Sequence, residues 1–268
     1  MGKAKTVRTT KFGKTELCLV EHNGRFFGKA NGAVIVEGEG ADEVWRRLHD
    51  RAGDGDARYF GFDGARARFG KFFPEGFLSA YYENRERDYK VKAKVKLDAA
   101  LPVEAALTNA GVGEAALAAF AGTDLLSPFE KMRVRDTLRG PRADAFVHAA
   151  ARFTLEGGPA ALAAMAAALE PDGANKWTVA SYLPFLWRPE IHLFVKPEST
   201  REFAERVGHP FSSRYEASLR LPVYDSLLDL ARVTMAELAR LKPRDHIDIQ
   251  SFIWVVGSYK TGRDEPAA

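Results

Sequence analysis

The sequence predicts an α+β protein: a small antiparallel β-meander with one helix at the N-terminus, followed by a larger all-α helical bundle. Three observations carry this. Two Asn-Gly pairs, Asn23–Gly24 and Asn31–Gly32, separate short apolar runs near the start of the chain, and both residues of such a pair accept the positive φ of a type I′ hairpin turn. From about residue 77 the apolar spacing is helical almost throughout, and the stretches are stopped by Gly or Pro. Charge divides similarly: residues 1–97 hold 20 Lys and Arg against 14 Asp and Glu, whereas the remainder holds 19 against 22. The expected domains are residues 1–76, a basic sheet-plus-helix module, and residues 77–268, the bundle.

Taken in order, TELCLVE, RFFGKA and AVIVE give a meander of three or four strands over about residues 5–37. ADEVWRRLHDRA follows with Val44, Trp45 and Leu48 at helical spacing. Residues 54–76 then interleave glycine, aromatic and basic side chains, among them Phe60, Phe62, Arg66, Arg68, Phe69, Lys71, Phe72 and Phe73. Arginine beside aromatic rings can grip phosphates and stack bases. The stronger reading of the same residues is an apolar domain junction covered by arginine stems.

The stretch YKVKAKVKL places Lys90, Lys92, Lys94 and Lys96 at every second position. As a strand it would show a row of four ammonium groups. Its flank, SAYYENRERD, contains no breaker and sets acids four residues ahead of bases, at Glu83–Arg87, Glu86–Lys90 and Asp88–Lys92. That order favours a helix, and one continuous helix over about residues 77–100 is expected. Its lysines would then form a basic belt, either solvated or facing phosphate. Further on, NKWTVASYLPFLWRP must break near its internal proline. PVYDSLLDLARVTMAELARLKP carries the clearest apolar stripe, through Leu227, Leu230, Ala231, Thr234, Leu238 and Leu241.

Chemistry-bearing motifs are sparse. Walker-type, Rossmann-type, nucleophile-elbow, HExxH and paired CxxC patterns are all missing from the sequence. The six histidines are scattered, so neither a metal nor a cofactor is expected. The lone Cys18 excludes an internal disulfide and fits a reducing cytoplasm. The basic N-terminus lacks the apolar core of a signal peptide, and PAALAAMAAAL is too short for a membrane span. Two polar–aromatic constellations stand out, WTVASYLPFLWRPEIHLFVKP and RDHIDIQSFIWVVG. They nominate Trp177, His192, Lys196, Asp245, Asp248 and Gln250 as a possible pocket. Asp245 and Asp248 could act as paired carboxylates, or Asp245 could cap the last helix.

The segments GFDGARARFGKFFPEGF, ERDYK, KWTVASYLPFLWRP, HLFVKPEST and PRDHIDIQSFIWVVG together resemble an uncharacterised family of bacterial proteins. The C-terminal part is similar to helical regions of restriction- or defence-type proteins. The resemblance implies a DNA-related or defence context and assigns no residues. Three functions follow as expectations. The first is a non-enzymatic module binding DNA, RNA or a partner protein, with Arg66, Arg68, Lys71, Lys90, Lys92, Lys94 and Lys96 on phosphates. The second is an enzyme or small-ligand binder using the pocket above. The third is a structural subunit of a complex.

Overall fold

A computed structural model of the chain describes residues 4–12, 15–52 and 59–264. It is α+β, with a four-stranded antiparallel sheet at the N-terminus and helices through the rest. The chain divides into two compact units. One comprises Met1–Pro74, Arg201–Ser213 and Val255–Ala268; the other comprises Glu75–Thr200 and Arg214–Trp254.

In the first unit β1 (Lys5–Phe12), β2 (Thr15–His22), β3 (Arg25–Ala30) and β4 (Ala33–Gly38) pair in sequence order. Asn23 and Gly24 have φ of 50° and 77°, and Asn31 and Gly32 have 48° and 86°. These left-handed pairs match the strands' twist, which is why both hairpins close in two residues. α1 (Ala41–Ala52) lies on β2, β3 and β4. Its Val44, Trp45 and Leu48 meet Leu17, Leu19 and Val36, and Phe60 joins the same core. α2 (Gly61–Phe72) begins at a residue with φ of 58°, where a Cβ would fall 2.1 Å from Asp50 Oδ1. That carboxylate instead accepts from the Phe62 amide at 2.6 Å. The clustered phenylalanines pack inward: Phe62, Phe69, Phe72 and Phe73 are buried, and Phe72 meets Tyr259 edge-on.

In the second unit a single helical turn at Gly76–Leu78 precedes Ser79, whose Oγ accepts from the Tyr82 amide at 3.1 Å and caps the next helix. The expected uninterrupted helix over 77–100 is therefore divided. Helix begins after Ser79, widens into a π turn over Glu83–Arg87, and resumes as α3 (Asp88–Ala100). The lysine-rich stretch is helical. Lys90, Ala93 and Leu97, spaced i, i+3, i+7, form its buried face, while Lys92, Val95 and Lys96 are exposed.

α4 (Gly113–Ala121), α5 (Pro128–Arg139), α6 (Ala143–Glu156) and α7 (Pro159–Leu169) continue the bundle. α5 opens on a reciprocal cap: Ser127 Oγ accepts from the Glu130 amide, and the Glu130 carboxylate accepts from the Ser127 amide. The proline-containing segment breaks at Ser181 into short helices Trp177–Ala180 and Tyr182–Trp187. α8 (Pro197–Arg206), α9 (Leu221–Glu237) and α10 (His246–Ser258) complete the chain. On α9 Leu227, Leu230, Ala231 and Thr234 are buried as the stripe predicts, and the helix stops before Leu238. Among the described residues no helix is long and apolar enough to cross a membrane.

Candidate polar cleft and its ion cluster

The start of α10 organises the second unit's polar interior. Asp245 caps it, with Oδ1 accepting from the amides of Ile247 at 2.9 Å and Asp248 at 3.4 Å. This satisfies donors that the first helical turn leaves orphaned. One turn on, Asp248 is fully buried. Its carboxylate accepts from Tyr82 Oη at 2.8 Å, from Arg87 at 2.9 Å and from Arg244 Nε at 3.0 Å. Arg87 reaches Asp245 with its other nitrogen at 2.6 Å, and Arg244 also pairs with Glu83. Burial by itself would lower the Arg87 guanidinium's pKa. Hydrogen bonds to Asp245 and the charge of Asp248 outweigh it, and the net direction is upward. Burial and the adjacent Asp248 charge raise the Tyr82 phenol, which stays a donor.

The π turn explains why these partners differ from the expected i,i+4 pairs. The Asp88 amide bonds the Glu83 carbonyl, a span of five residues, so Glu83 and Arg87 no longer face one another. Both turn to the segment that opens α10 instead. The other two pairs keep the expected order, with Glu86–Lys90 at 3.3 Å and Asp88–Lys92 at 3.7 Å. π turns recur where a helix positions functional groups. Here the turn aims Arg85 and Glu86 at one cleft and Arg87 at the ion cluster.

Lys90 is fully buried, and its ammonium donates to Glu86 at 3.3 Å and Ser251 Oγ at 2.7 Å. Burial lowers its pKa, opposed by the Glu86 charge. It therefore lies behind Glu86 and stiffens the wall of an open cleft of about 90 Å³. The cleft is lined by Arg85, Glu86, Tyr89, Asp124, Leu125, Lys196, Gln250 and Trp254. Lys196 Nζ sits 4.0 Å from the centre of the Trp254 ring, a cation–π contact that fixes the ammonium at the rim. Gln250 is only 5% exposed, and its Oε1 is buried with no hydrogen-bond partner. The same three residues, Lys196, Gln250 and Trp254, also line a neighbouring void of about 10 Å³ beside Ser199 and Thr200.

The nominated pocket residues occupy three places. Lys196 and Gln250 line the cleft. Asp245 and Asp248 belong to the ion cluster. Trp177 and His192 belong to an aromatic core: Trp177 stacks on Tyr224 at 5.9 Å and donates Nε1–H to the Glu216 carbonyl. His192 Nε2 meets the Thr154 carbonyl at 3.0 Å, so it carries the proton, and Nδ1 accepts from Tyr224 Oη at 3.0 Å. Burial lowers the His192 pKa.

The nominated phosphate contacts are also distributed. Arg66, Arg68 and Lys71 lie in the first unit, and the four lysines lie in the second. Arg68 donates to the carbonyls of Val256 and Tyr259, both at 2.7 Å. Arg66 pairs with Asp63. Lys90 is enclosed and cannot reach a phosphate, and Lys94 is held by Asp98 at 2.7 Å and the Trp187 carbonyl at 3.2 Å. Lys71, Lys92 and Lys96 are exposed, Lys92 beside Asp88.

Sequence reasoning missed Arg85, Glu86, Tyr89 and Asp124 as cleft residues, and Arg87 as the centre of the ion cluster. One signal was available: Glu86–Lys90 is a favourable helical pair adjoining a stretch with little amphipathic order. Among the described residues no three His, Cys, Asp or Glu side chains gather as a metal site. The chain matches no protein-family model, no curated protein and no solved structure. These comparisons add no support to the resemblance drawn from the sequence.

Proposed function

We propose that the cleft of the second unit binds a small polar molecule carrying both an anionic and a cationic group. The observation that carries this reading is Gln250 Oε1. A buried acceptor without a donor costs about 1–3 kcal/mol, and the Gln250 side chain that carries this one lines the cleft. Lys196 and Arg85 supply positive charge for the ligand's anion, and Glu86 and Asp124 supply negative charge for its ammonium. Tyr89 and Trp254 provide apolar faces between them. About 90 Å³ equals roughly three water volumes, which suits a ligand of few heavy atoms. The wall is pre-organised, because Lys90, itself anchored on Ser251, holds Glu86 from behind, and rigid walls reduce the ordering cost of binding.

The test is calorimetric titration and thermal shift with glycine, β-alanine and 4-aminobutyrate, against acetate and methylammonium as single-charge controls. A zwitterion should bind saturably, and at a hundredfold excess over Kd should add about 2.7 kcal/mol of stability. Lys196→Met should remove the effect. No response to any zwitterion, or equal responses from the single-charge controls, would overturn the proposal.

Nucleic-acid binding stands as the second reading, favoured by the exposure of Lys71, Lys92 and Lys96. It calls for a retardation assay at low salt, where phosphate contacts are strongest. The absence of a shift there would remove it.

A further inference from the structure

The second unit carries a larger open groove, about 560 Å³, between α4 and α5. Its floor is apolar and shallow: Leu117, Ala118 and Ala121 come from α4 and Met132 from α5. Alanines on one wall allow another backbone to approach closely. Met132 is 46% exposed, and Phe129, one turn ahead on α5, is 75% exposed. Large apolar side chains this open, grouped on one face, mark interaction surfaces.

The rim supplies the direction. Lys131, Arg135 and Arg139 lie along α5 at i, i+4 and i+8 and line the groove, a cationic row about 12 Å long at 1.5 Å per residue. The Lys131 ammonium donates to the Thr123 carbonyl at 2.5 Å, which fixes its position without neutralising its charge. Two carboxylates oppose the row. Glu114 meets Arg139 at 3.0 Å at one end, and Asp136 meets Arg135 at 3.2 Å from outside the groove. Both acids are more than half exposed, so these pairs are solvated and yield to a better-placed partner.

We propose that this groove is a docking site for an acidic amphipathic helix of a partner protein. The helix lays Leu-type side chains on the Leu117–Met132 floor and sets carboxylates at i, i+4 and i+8 against Lys131, Arg135 and Arg139. An apolar stripe flanked by one charge sign is the helix-in-groove mode of recognition. The cationic row sets its orientation and speeds its encounter. The site is independent of the polar cleft, with which it shares no lining residue.

The test uses the full chain and a fluorescein-labelled helical peptide of about 16 residues, long enough to exceed the row at 1.5 Å per residue. The peptide carries Leu along one face and Glu at i, i+4 and i+8, and a second peptide replaces those Glu by Lys. Anisotropy should show the acidic peptide binding about tenfold or more tighter than the basic one, with the gap narrowing as salt rises. Met132→Glu should weaken the acidic peptide about tenfold, and Arg135→Glu should shift preference toward the basic peptide. Both positions are solvent-facing, and circular dichroism checks that the variants fold. Equal affinity for the two peptides, binding unaffected by Met132→Glu, or no binding by either peptide would overturn the proposal. Concentration-dependent dimerisation abolished by Met132→Glu would assign the groove to a second copy of this chain instead.

Discussion

Replacing Asp248 by alanine tests the ion cluster most directly. The carboxylate is fully buried and accepts from Tyr82, Arg87 and Arg244. Breaking a buried pair by removing one member costs about 3–5 kcal/mol. Arg87 keeps Asp245, at 2.6 Å, which places the loss at the lower end of that range. The buried Tyr82 hydroxyl loses its bond to Asp248 and keeps only its contact with Ser251, a further cost of about 1 kcal/mol. Arg244 is one-third exposed and contributes little after solvent screening. The expected total is about 4 kcal/mol. Urea unfolding followed by tryptophan fluorescence measures it, since Trp177, Trp187 and Trp254 all lie in the second unit. Tyr82→Phe provides the internal control: it deletes one donor while Asp248 keeps both guanidiniums, so about 1 kcal/mol is expected. An Asp248→Ala cost below about 1 kcal/mol, or a Tyr82→Phe cost equal to it, would refute the reasoning that the pair is desolvated and coupled.

Other outcomes follow from the same geometry. Gln250→Leu should leave the ligand-free protein unchanged or about 1 kcal/mol more stable, because it removes an orphaned acceptor, while it weakens zwitterion binding; a destabilisation above about 2 kcal/mol would show that the amide is already satisfied. In the first unit, burial holds the His49 pKa down at about 4, with the Trp45 carbonyl opposing and Arg8 adding to the effect. The unfolded chain therefore binds this proton first. His49's contribution is complete above about pH 6.5, falls as pH drops, and is lost below about pH 4, a swing of about 3 kcal/mol. Thermal unfolding at steps from pH 4 to 7.5 reads this slope, and His49→Gln should flatten it. Gly61→Ala should cost about 2–4 kcal/mol, because φ there is 58° and the added Cβ meets Asp50 Oδ1; unchanged chemical denaturation would contradict it.

What the sequence by itself determined is local. The Asn-Gly pairs set their own positive φ, so the hairpins and the order of the meander could be read without the rest of the chain. Val44, Trp45 and Leu48 announced a helix face, and Leu227 to Thr234 announced another, because a 3.6-residue period needs only neighbours to define it. The proline in the 175–189 segment forecast its break, and Asp245 was placed to cap α10. The lysine stretch shows where local reasoning stops. Its alternation suggested a strand, and its flanking acids corrected this to a helix, yet neither could say that Lys90 would be enclosed while Lys92 and Lys96 stayed in water. That depends on the π turn, which shifts Glu83 and Arg87 out of register with each other and toward residues more than 150 positions away. The cleft was half legible. Lys196 and Gln250 were named, but Trp177 and His192 went to an aromatic core, and Arg85, Glu86, Tyr89 and Asp124 arrived from other elements. Only tertiary packing decides which charges are paired, which are buried and which acceptor is left unsatisfied, because those energies come from desolvation and from partners distant in sequence.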